Sequence, residues 1–371
     1  MIRKIGTSVY GLRAPILKQG DNLVDIVVDT VLNSGLEIRD RDVLGITESI
    51  VARCEGNYVT IDEVANEIKD KVKNDSIILY KPIYSRNRFA MILKAFARAA
   101  KNVYIYMPDV DEVGNVCRNH PFTGLNYDDY YKSIVENEGS KCEILRTYDE
   151  FQTRIAIDAV YRNSPILINC LLHDDIKSGE FIVDDFNRCL RIHLKAFNLD
   201  DFCSDKCVYG LLGSNKSSEE LLKLFPSANY SQHVVDTVQQ KLFEKTGKKV
   251  EVMVYGDGCF KDPVGGIWEF ADPVVSPAYT FGLEGTPNEI KIKNFADEKF
   301  KDLQGEDLNN AIKEEISHKD SNLKGNMYSQ GTTPRRYTDL LGSLMDLTSG
   351  SGDKGTPFVY VQGYFDNLAS E

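Results

Sequence analysis

No apolar run in the 371-residue sequence approaches the length of about 20 residues that crosses a bilayer. The opening MIRKIGTSVYGLRAPI lacks the apolar centre of a secretory signal, so a cytoplasmic protein is the expectation, with no membrane partner. Positive charge is in deficit: Lys+Arg 44 against Asp+Glu 56 gives a net charge of -12. A broad polyanion-binding face needs the opposite balance, which sets nucleic acid aside but leaves room for a small basic pocket holding a phosphorylated ligand. Histidine is scarce. The five present (His120, His173, His193, His233, His318) form neither an HExxH motif nor a nucleophile elbow, and read as structural or surface residues. No GxGxxG follows a strand pattern, so the dinucleotide fingerprint is missing. Eight cysteines are scattered along the chain and read as buried free thiols. The pair Cys203 and Cys207 lacks a second pair at ligand spacing, which argues against zinc.

What remains is the composition of a soluble globular chain, 42% hydrophobic and 27% charged, large enough for two domains. Asp21 stands where it can cap a helix over DNLVDIVVDTVLNSG, whose Leu23, Ile26, Val27 and Val31 form one apolar stripe ended by Gly35. A strand over DVLGIT leads into the compact ESIVARCEG, and Thr60 to Glu63 spell a capping box for a second helix. SIILYKP and NVYIYMP read as buried strands around the amphipathic helix RNRFAMILKAFARAA, a pattern of a parallel or mixed sheet. From about 109 to 205 the chain is polar with isolated apolar segments such as CEILRT and SPILINCLL. Beyond Val208 the order sharpens again: the helix SQHVVDTVQQKLFEKTG stops at Gly247, the strand VEVMVY follows, and a helix over YTDLLGSLMDLT precedes the closing strand FVYVQGY. The fold class is α+β, two intimately packed mixed α/β domains.

Several loops hold candidate chemistry. In VMVYGDGCFKDPVGGIWEF, residues 252–270, a core strand runs into glycines and the carboxylates Asp257 and Asp262, where a hard cation with substrate phosphates is suited. Gly-Asp-Gly also favours a tight turn whatever its function. The loop SGSGDKGTP, 349–357, lets backbone N–H groups approach phosphate oxygens with Lys354 beside them, yet it runs from helix to strand, unlike a Walker A loop, and its composition alone reads as a surface connection. Arg53 and Glu55 follow a strand, where an arginine can grip phosphate or carboxylate in bidentate fashion or merely form a surface pair. Arg86 and Arg88, near a helix start, suit an acidic substrate or a solvated face.

Taken in order, GLRAPILKQGDNL, DVLGITESIVARCEGNYV, LLKLFPSANYSQHVVDTVQQKLFEKTGKKVEVMVYGDG and YTDLLGSLMDLTSGSGDKGTPFVYVQG resemble the coenzyme F-420-0:L-glutamate ligase (gamma-glutamyl ligase) family. The resemblance divides the chain into a ligase-like segment 1–75, an expanded middle 76–205 and a ligase-like region 206–371. It implies a homodimer that joins L-glutamate to a small-molecule acid such as coenzyme F-420-0, using GTP or ATP with Mg2+ or Mn2+. A non-catalytic nucleotide- or metabolite-binding homologue, or a ligase with another acceptor such as a pterin, is the alternative. Residue by residue, it implies Asp257 as metal ligand and catalytic group, Asp339 as a second ligand, and Arg53 as phosphate partner. Leu12, Glu55, Ser214 and Asn215 are implied contacts of the nucleotide or its neighbour, and Arg86 and Arg88 are candidate partners of the acceptor's carboxylate. Leu212 and Leu340 stand where the family carries carboxylates, and a leucine cannot coordinate a cation.

Overall fold

The computed structural model describes residues 5–82, 88–109, 118–120, 123–161, 165–170, 179–185, 190–256, 260–261, 268–269, 276–323, 325–326, 336–349 and 353–370. The chain opens with β1 (Ser8–Leu12), α1 (Leu23–Leu32), β2 (Val43–Thr47), α2 (Glu48–Glu55), β3 (Tyr58–Thr60) and α3 (Ile61–Val72). Next come β4 (Ser76–Tyr80), α4 (Arg88–Ala99), β5 (Asn102–Tyr106), α5 (Tyr127–Asn137), β6 (Lys141–Leu145), α6 (Tyr148–Tyr161) and β7 (Ile166–Asn169). The strands β8 (Gly179–Asp185), β9 (Leu190–Asn198), β10 (Ser214–Ser218) and β11 (Leu221–Leu224) precede α7 (Ala228–Thr246) and β12 (Glu251–Tyr255). Two short strands, β13 (Phe260–Lys261) and β14 (Trp268–Glu269), are followed by α8 (Ile292–Asn294), α9 (Gly305–Ser317), α10 (Tyr337–Ser349) and β15 (Phe358–Gln362). The fold is mixed α/β, as the patterning implies, and two compact units divide it. Among the described residues no helix is long and apolar enough to cross a membrane.

The first unit gathers Met1–Val51, Asn229–Asp257 and Val274–Glu371. Its sheet has the order β1-β15-β2-β12, antiparallel except for the parallel pair β2 and β12. Burial on both faces explains why β12 and β15 read as unbroken buried runs rather than alternating ones. One face is covered by α10, whose Leu341 and Met345 join Val43, Met253, Tyr255, Val359 and Val361 in a single cluster. Gly45 is required at this crossing, because a Cβ there would collide with Met345 Sδ. The cap of α1 differs from expectation by one residue: Asn22 accepts from the Asp25 N–H at 3.3 Å, while the Asp21 carboxylate accepts from the Lys18 N–H at 2.6 Å. The stripe Val234, Val235, Val238 and Leu242 of α7 is buried, and Gly247 follows it at φ +69.

The second unit comprises Ala52–Ala228 and Gly258–Pro273. The stretch that reads as polar with isolated apolar segments supplies β6, β7, β8 and β9, which join β4 and β5 in a six-stranded sheet of order β6-β5-β4-β7-β9-β8. All its neighbours are parallel except β8 and β9. The order reverses at β4, so a topological switch point lies between β4 and β7, where Tyr80 and Asn169 are register partners. Residues 83–87 and 171–178, which follow those two strands in sequence, lie outside the described residues. Tyr80, Tyr106 and Phe151 stack on one face of the sheet, with Tyr80 and Tyr106 centroids 5.2 Å apart. The antiparallel sheet β10-β11-β3 completes the unit. The capping box of α3 forms as its sequence implies, with Glu63 N donating to Thr60 Oγ1 at 3.2 Å and Thr60 N to Glu63 Oε2 at 2.7 Å. Arg98 of α4 bonds Glu138, Asp62 and Glu220, tying α5, α3 and the β10–β11 turn to one guanidinium.

Candidate functional site

In the second unit, the turn that ends α2 is anchored by its backbone: Gly56 and Asn57 both donate to the Ala52 carbonyl, at 2.9 and 3.0 Å. Gly56 sits at φ +80, a left-handed position that glycine adopts without strain. Asn57 then reaches across the unit, its Nδ2 donating to the carbonyls of Phe225 at 2.7 Å and Lys206 at 3.1 Å. Leu224 N returns a bond to the Asn57 carbonyl at 3.0 Å. The turn bearing Arg53 and Glu55 is thereby joined to the hairpin bearing Ser214 and Asn215, although more than 150 residues separate them in sequence.

Within this assembly each residue has a distinct environment. Arg53 is exposed and makes no hydrogen bond or ion pair with the described residues. Glu55 accepts from the Ser227 N–H at 2.9 Å and from the Ser227 hydroxyl, just before the first residue of α7. It caps that helix and places a negative charge at its positive end. Arg88 is buried, and its Nε donates to the Ser214 carbonyl at 2.6 Å. Ser214 is buried as well, with its hydroxyl donating to the Leu211 carbonyl at 2.6 Å. Asn215 is half-buried, its Oδ1 accepting from the Lys216 N–H at 2.9 Å. Leu212 lies in a 3-10 turn over Gly210–Gly213. Gly210, at φ +49, is forced there because a Cβ would meet the Phe202 carbonyl. Near this turn burial pushes the Tyr209 hydroxyl up, and burial together with the charge of Asp201 pushes the Asp200 carboxyl up. Arg86 lies outside the described residues.

In the first unit, three chain segments meet at the edge where β1 and β2 end and β15 begins. Ala14 N donates to the Gly355 carbonyl at 3.1 Å, Thr47 N donates to the Pro357 carbonyl at 3.1 Å, and Thr356 Oγ1 donates to the Ser349 carbonyl at 2.8 Å. A Cβ on Gly11 would come to 3.3 Å from the Thr356 side chain, so the glycine keeps these segments close. The described end of the glycine-rich loop therefore lies against the Gly11–Leu12 segment, two stretches that the sequence singled out separately. Lys354 is exposed in that loop. Leu12 is buried and lines a hollow of about 540 Å³ shared with Arg13 and with Asp29 and Thr30 of α1. The apolar stripe of α1 marks only its buried face. The polar residues Asp29, Thr30 and Asn33, spaced for one face, are the signal that this hollow leaves in the sequence.

The two carboxylates implied as metal ligands fall differently. Gly256, the last residue described before Asp257, follows Tyr255, the register partner of Thr47, and so lies at the same edge as Pro357. Asp257 and Asp262 lie outside the described residues. Asp339 is half-buried in the first turn of α10, next to Tyr337, whose ring packs on Phe365 at 5.1 Å beyond the far end of β15. The opposite end of α10, Ser349, is the end that meets Thr356. Thirteen residues of helix put roughly 20 Å between those ends. Among the described residues, no group of three or more His, Cys, Asp or Glu side chains is arranged to hold a metal ion. The described cysteines Cys54, Cys142, Cys170, Cys203 and Cys207 are free thiols, and burial pushes Cys142 up to about 12.

Comparison with known proteins gives a family match over residues 11–363, to the family described as F420-0:Gamma-glutamyl ligase. The chain is 23% identical over 154 residues to Coenzyme F420:L-glutamate ligase of Methanothermobacter thermautotrophicus (strain Delta H), covering 39% of this chain and 57% of that protein. It is 34% identical over 50 residues to Uncharacterized protein MJ1361 of Methanocaldococcus jannaschii, covering 14% of this chain and 17% of that one. The chain thus spans less than two thirds of the length of either relative.

Proposed function

The chain belongs to the F420-0:gamma-glutamyl ligase family, and from that premise we propose that it joins the amine of L-glutamate to the carboxylate of a small-molecule acid, coenzyme F-420-0 or a related acceptor. The observation that carries the reading is the extent of the family match, which begins at Gly11 and ends at Gly363 and so takes in every loop described above. In this reaction a nucleoside triphosphate, GTP or ATP, phosphorylates the acceptor carboxylate. The glutamate amine then attacks the acyl carbon, a C–N bond forms, the C–O bond to phosphate breaks, and the amine loses a proton as phosphate leaves. The demand on the protein is to neutralise phosphoryl charge and to hold the amine in line.

In this proposal the first unit offers the backbone of Gly11–Ala14 and Gly355–Thr356, with Lys354 beside them, to phosphate oxygens. In the second unit Arg53, exposed and uncommitted to any described partner, grips phosphate or carboxylate as a fork. Ser214 and Asn215 sit on the hairpin joined to that turn, and Arg86 and Arg88 act toward the acceptor's carboxylate. Arg88 does so with its Nε already committed to the Ser214 carbonyl. The described residues do not by themselves make a divalent-ion site, because Asp339 stands at the end of α10 away from the edge that Gly256 reaches. Asp257 is the residue that would hold Mg2+ or Mn2+ in this proposal. The proposal extends to a cytoplasmic homodimer.

A second reading, a nucleotide- or metabolite-binding homologue without turnover, is favoured by Leu212 and Leu340 at positions where the family carries carboxylates. Phosphate release separates the two, measured with L-glutamate, GTP or ATP, Mg2+ or Mn2+, and a panel of acceptor acids. The ligase reading expects release that depends on both glutamate and one acceptor and is abolished by Asp257→Asn with the fold intact. Nucleotide-induced thermal stabilisation without release across the whole panel supports the binding homologue instead.

A further inference from the structure

In the second unit β6 is an edge of the six-stranded sheet, with β5 its only strand neighbour among the described residues. Lys141 N donates to the Lys101 carbonyl at 2.9 Å, and the Leu145 carbonyl accepts from Met107 N at 2.8 Å. Residues 141, 143 and 145 therefore turn their backbone groups toward β5, and Cys142 and Ile144 turn theirs outward. No described backbone group pairs with those outward groups. The edge is also open to solvent: Lys141 is exposed, Cys142, Glu143 and Ile144 are half-buried, and a hollow of about 610 Å³ lies beside them, lined by Tyr104, Lys141, Glu143 and Arg154 among others. The two edges of the sheet differ in charge. β8 carries Glu180, Asp184 and Asp185 with no basic residue, whereas β6 carries Lys141 and Glu143 two residues apart, on one face.

We propose that β6 is a docking edge for a second copy of this chain, the two strands pairing antiparallel about a two-fold axis at Cys142. Such a contact must be self-complementary, because the same residues meet from both sides. The outward groups of Cys142 and Ile144 allow an axis at Cys142, Glu143 or Ile144. An axis at Glu143 sets that carboxylate against its own copy, and an axis at Ile144 sets it against Leu145. The axis at Cys142 sets Lys141 of each copy opposite Glu143 of its partner, two ion pairs in the closer, non-hydrogen-bonded positions of the ladder, while the two Cys142 residues exchange their backbone bonds. A lysine on an edge ordinarily turns a foreign strand away. Here the same lysine selects a strand that carries an acid in the matching place, and two sheets become one continuous sheet. The interface stands on the edge of β6 alone. It gives the homodimer of the ligase reading a location, and it needs neither nucleotide nor ligation.

The experiment is sedimentation equilibrium of the full chain over a dilution series, alongside Lys141→Glu and Cys142→Pro. Lys141 is exposed, and the Cys142 N–H serves no bond within the sheet, so both variants keep the fold, which far-UV circular dichroism verifies. The wild-type chain is expected to dimerise. Lys141→Glu turns two attractions into two repulsions and is expected to raise the dimer dissociation constant at least about tenfold. Cys142→Pro removes the two central backbone bonds and is expected to leave monomers. Carbodiimide coupling of a mixture of isotope-labelled and unlabelled chains reads the register: the expected product joins Lys141 of one copy to Glu143 of its partner. A wild-type chain that stays monomeric throughout the series overturns the proposal. A dimer that both variants leave intact also overturns it, while keeping the homodimer of the ligase reading. Assemblies that grow past the dimer assign head-to-tail pairing of β6 with the acidic β8 and overturn it as well. A dimer that follows the expected pattern while no acceptor yields phosphate release keeps this interface and removes the ligase reading.

Discussion

The hydroxyl of Tyr360 donates a 3.1 Å hydrogen bond to Asp42 Oδ2 in the buried interior of the first unit. The same carboxylate accepts from Gly363 N at 3.2 Å and Arg39 N at 3.1 Å, so it fixes both the entry to β2 and the exit from β15. Tyr360→Phe removes one donor and leaves a buried carboxylate short of a partner, which is expected to cost about 1–3 kcal/mol. A fall in the urea midpoint with an unchanged slope is the readout.

Burial holds the Asp42 carboxyl above its ordinary value, and the bonds from Gly363, Arg39 and Tyr360 only partly offset this. The folded chain therefore keeps that proton to higher pH than the unfolded chain. Its contribution to stability is full below the unfolded value of about 3.9 and declines as pH rises through the folded value. Asp42→Asn is expected to flatten that decline in a series of unfolding curves taken upward from pH 4.

Glu220 behaves in the opposite sense. Hydrogen bonds from Arg98 and then Lys94 hold it down to about 2. The stability it supplies is present above the unfolded value of about 4.3 and is lost as pH falls toward 2. Its side chain is 56% exposed, so solvent screening keeps the gain below about 1 kcal/mol. Glu220→Gln is expected to lower the melting temperature slightly at pH 7 and to converge with the wild type in strong acid. Parallel curves down to that limit would assign the acid sensitivity to other groups.

Gly45 and Met345 test the packing of α10 on its sheet. Gly45→Ala alone is expected to destabilise by about 1–3 kcal/mol through overpacking. Shortening the opposing side chain, as in the double variant Gly45→Ala with Met345→Ala, should recover part of that loss. The non-additivity in a double-mutant cycle measures the contact.

Arg53 and Glu55 sit two residues apart yet are expected to fail differently. Glu55→Ala removes the cap on α7 and should lower stability by about 1–2 kcal/mol, with or without nucleotide. Arg53→Ala has no described partner to lose and should leave the melting temperature of the free protein unchanged, while diminishing the shift produced by GTP. Equal loss of the GTP-induced shift in both variants would place Glu55 at the ligand as well.

Local signals in the sequence translated well into elements. The Thr60 and Glu63 box, the stripe on α7 and the buried runs of β4, β5, β12 and β15 rest on interactions within a few residues, or on burial that any core strand shares. The middle region was less legible. Its sheet order depends on pairings such as Ile77 with Ile166, which no short window contains. Glu55 shows the same limit in the site: sequence similarity points to a ligand, whereas its observed partner, Ser227, lies 172 residues away. The hollow escaped the sequence reading because the apolar stripe of α1 marks its buried face, and the meaning of the exposed face depends on where the segment after β1 lies.

The insertion of β15 between β1 and β2 has a consequence for biosynthesis. The N-terminal strand β1 has no neighbour to pair with until β15, the last strand of the sheet, leaves the ribosome, whereas the six-stranded sheet built from residues 76–198 is already translated in full. Nascent chains arrested near residue 340 and exposed to protease should yield a resistant fragment from the inserted sheet, with residues 8–12 cut freely.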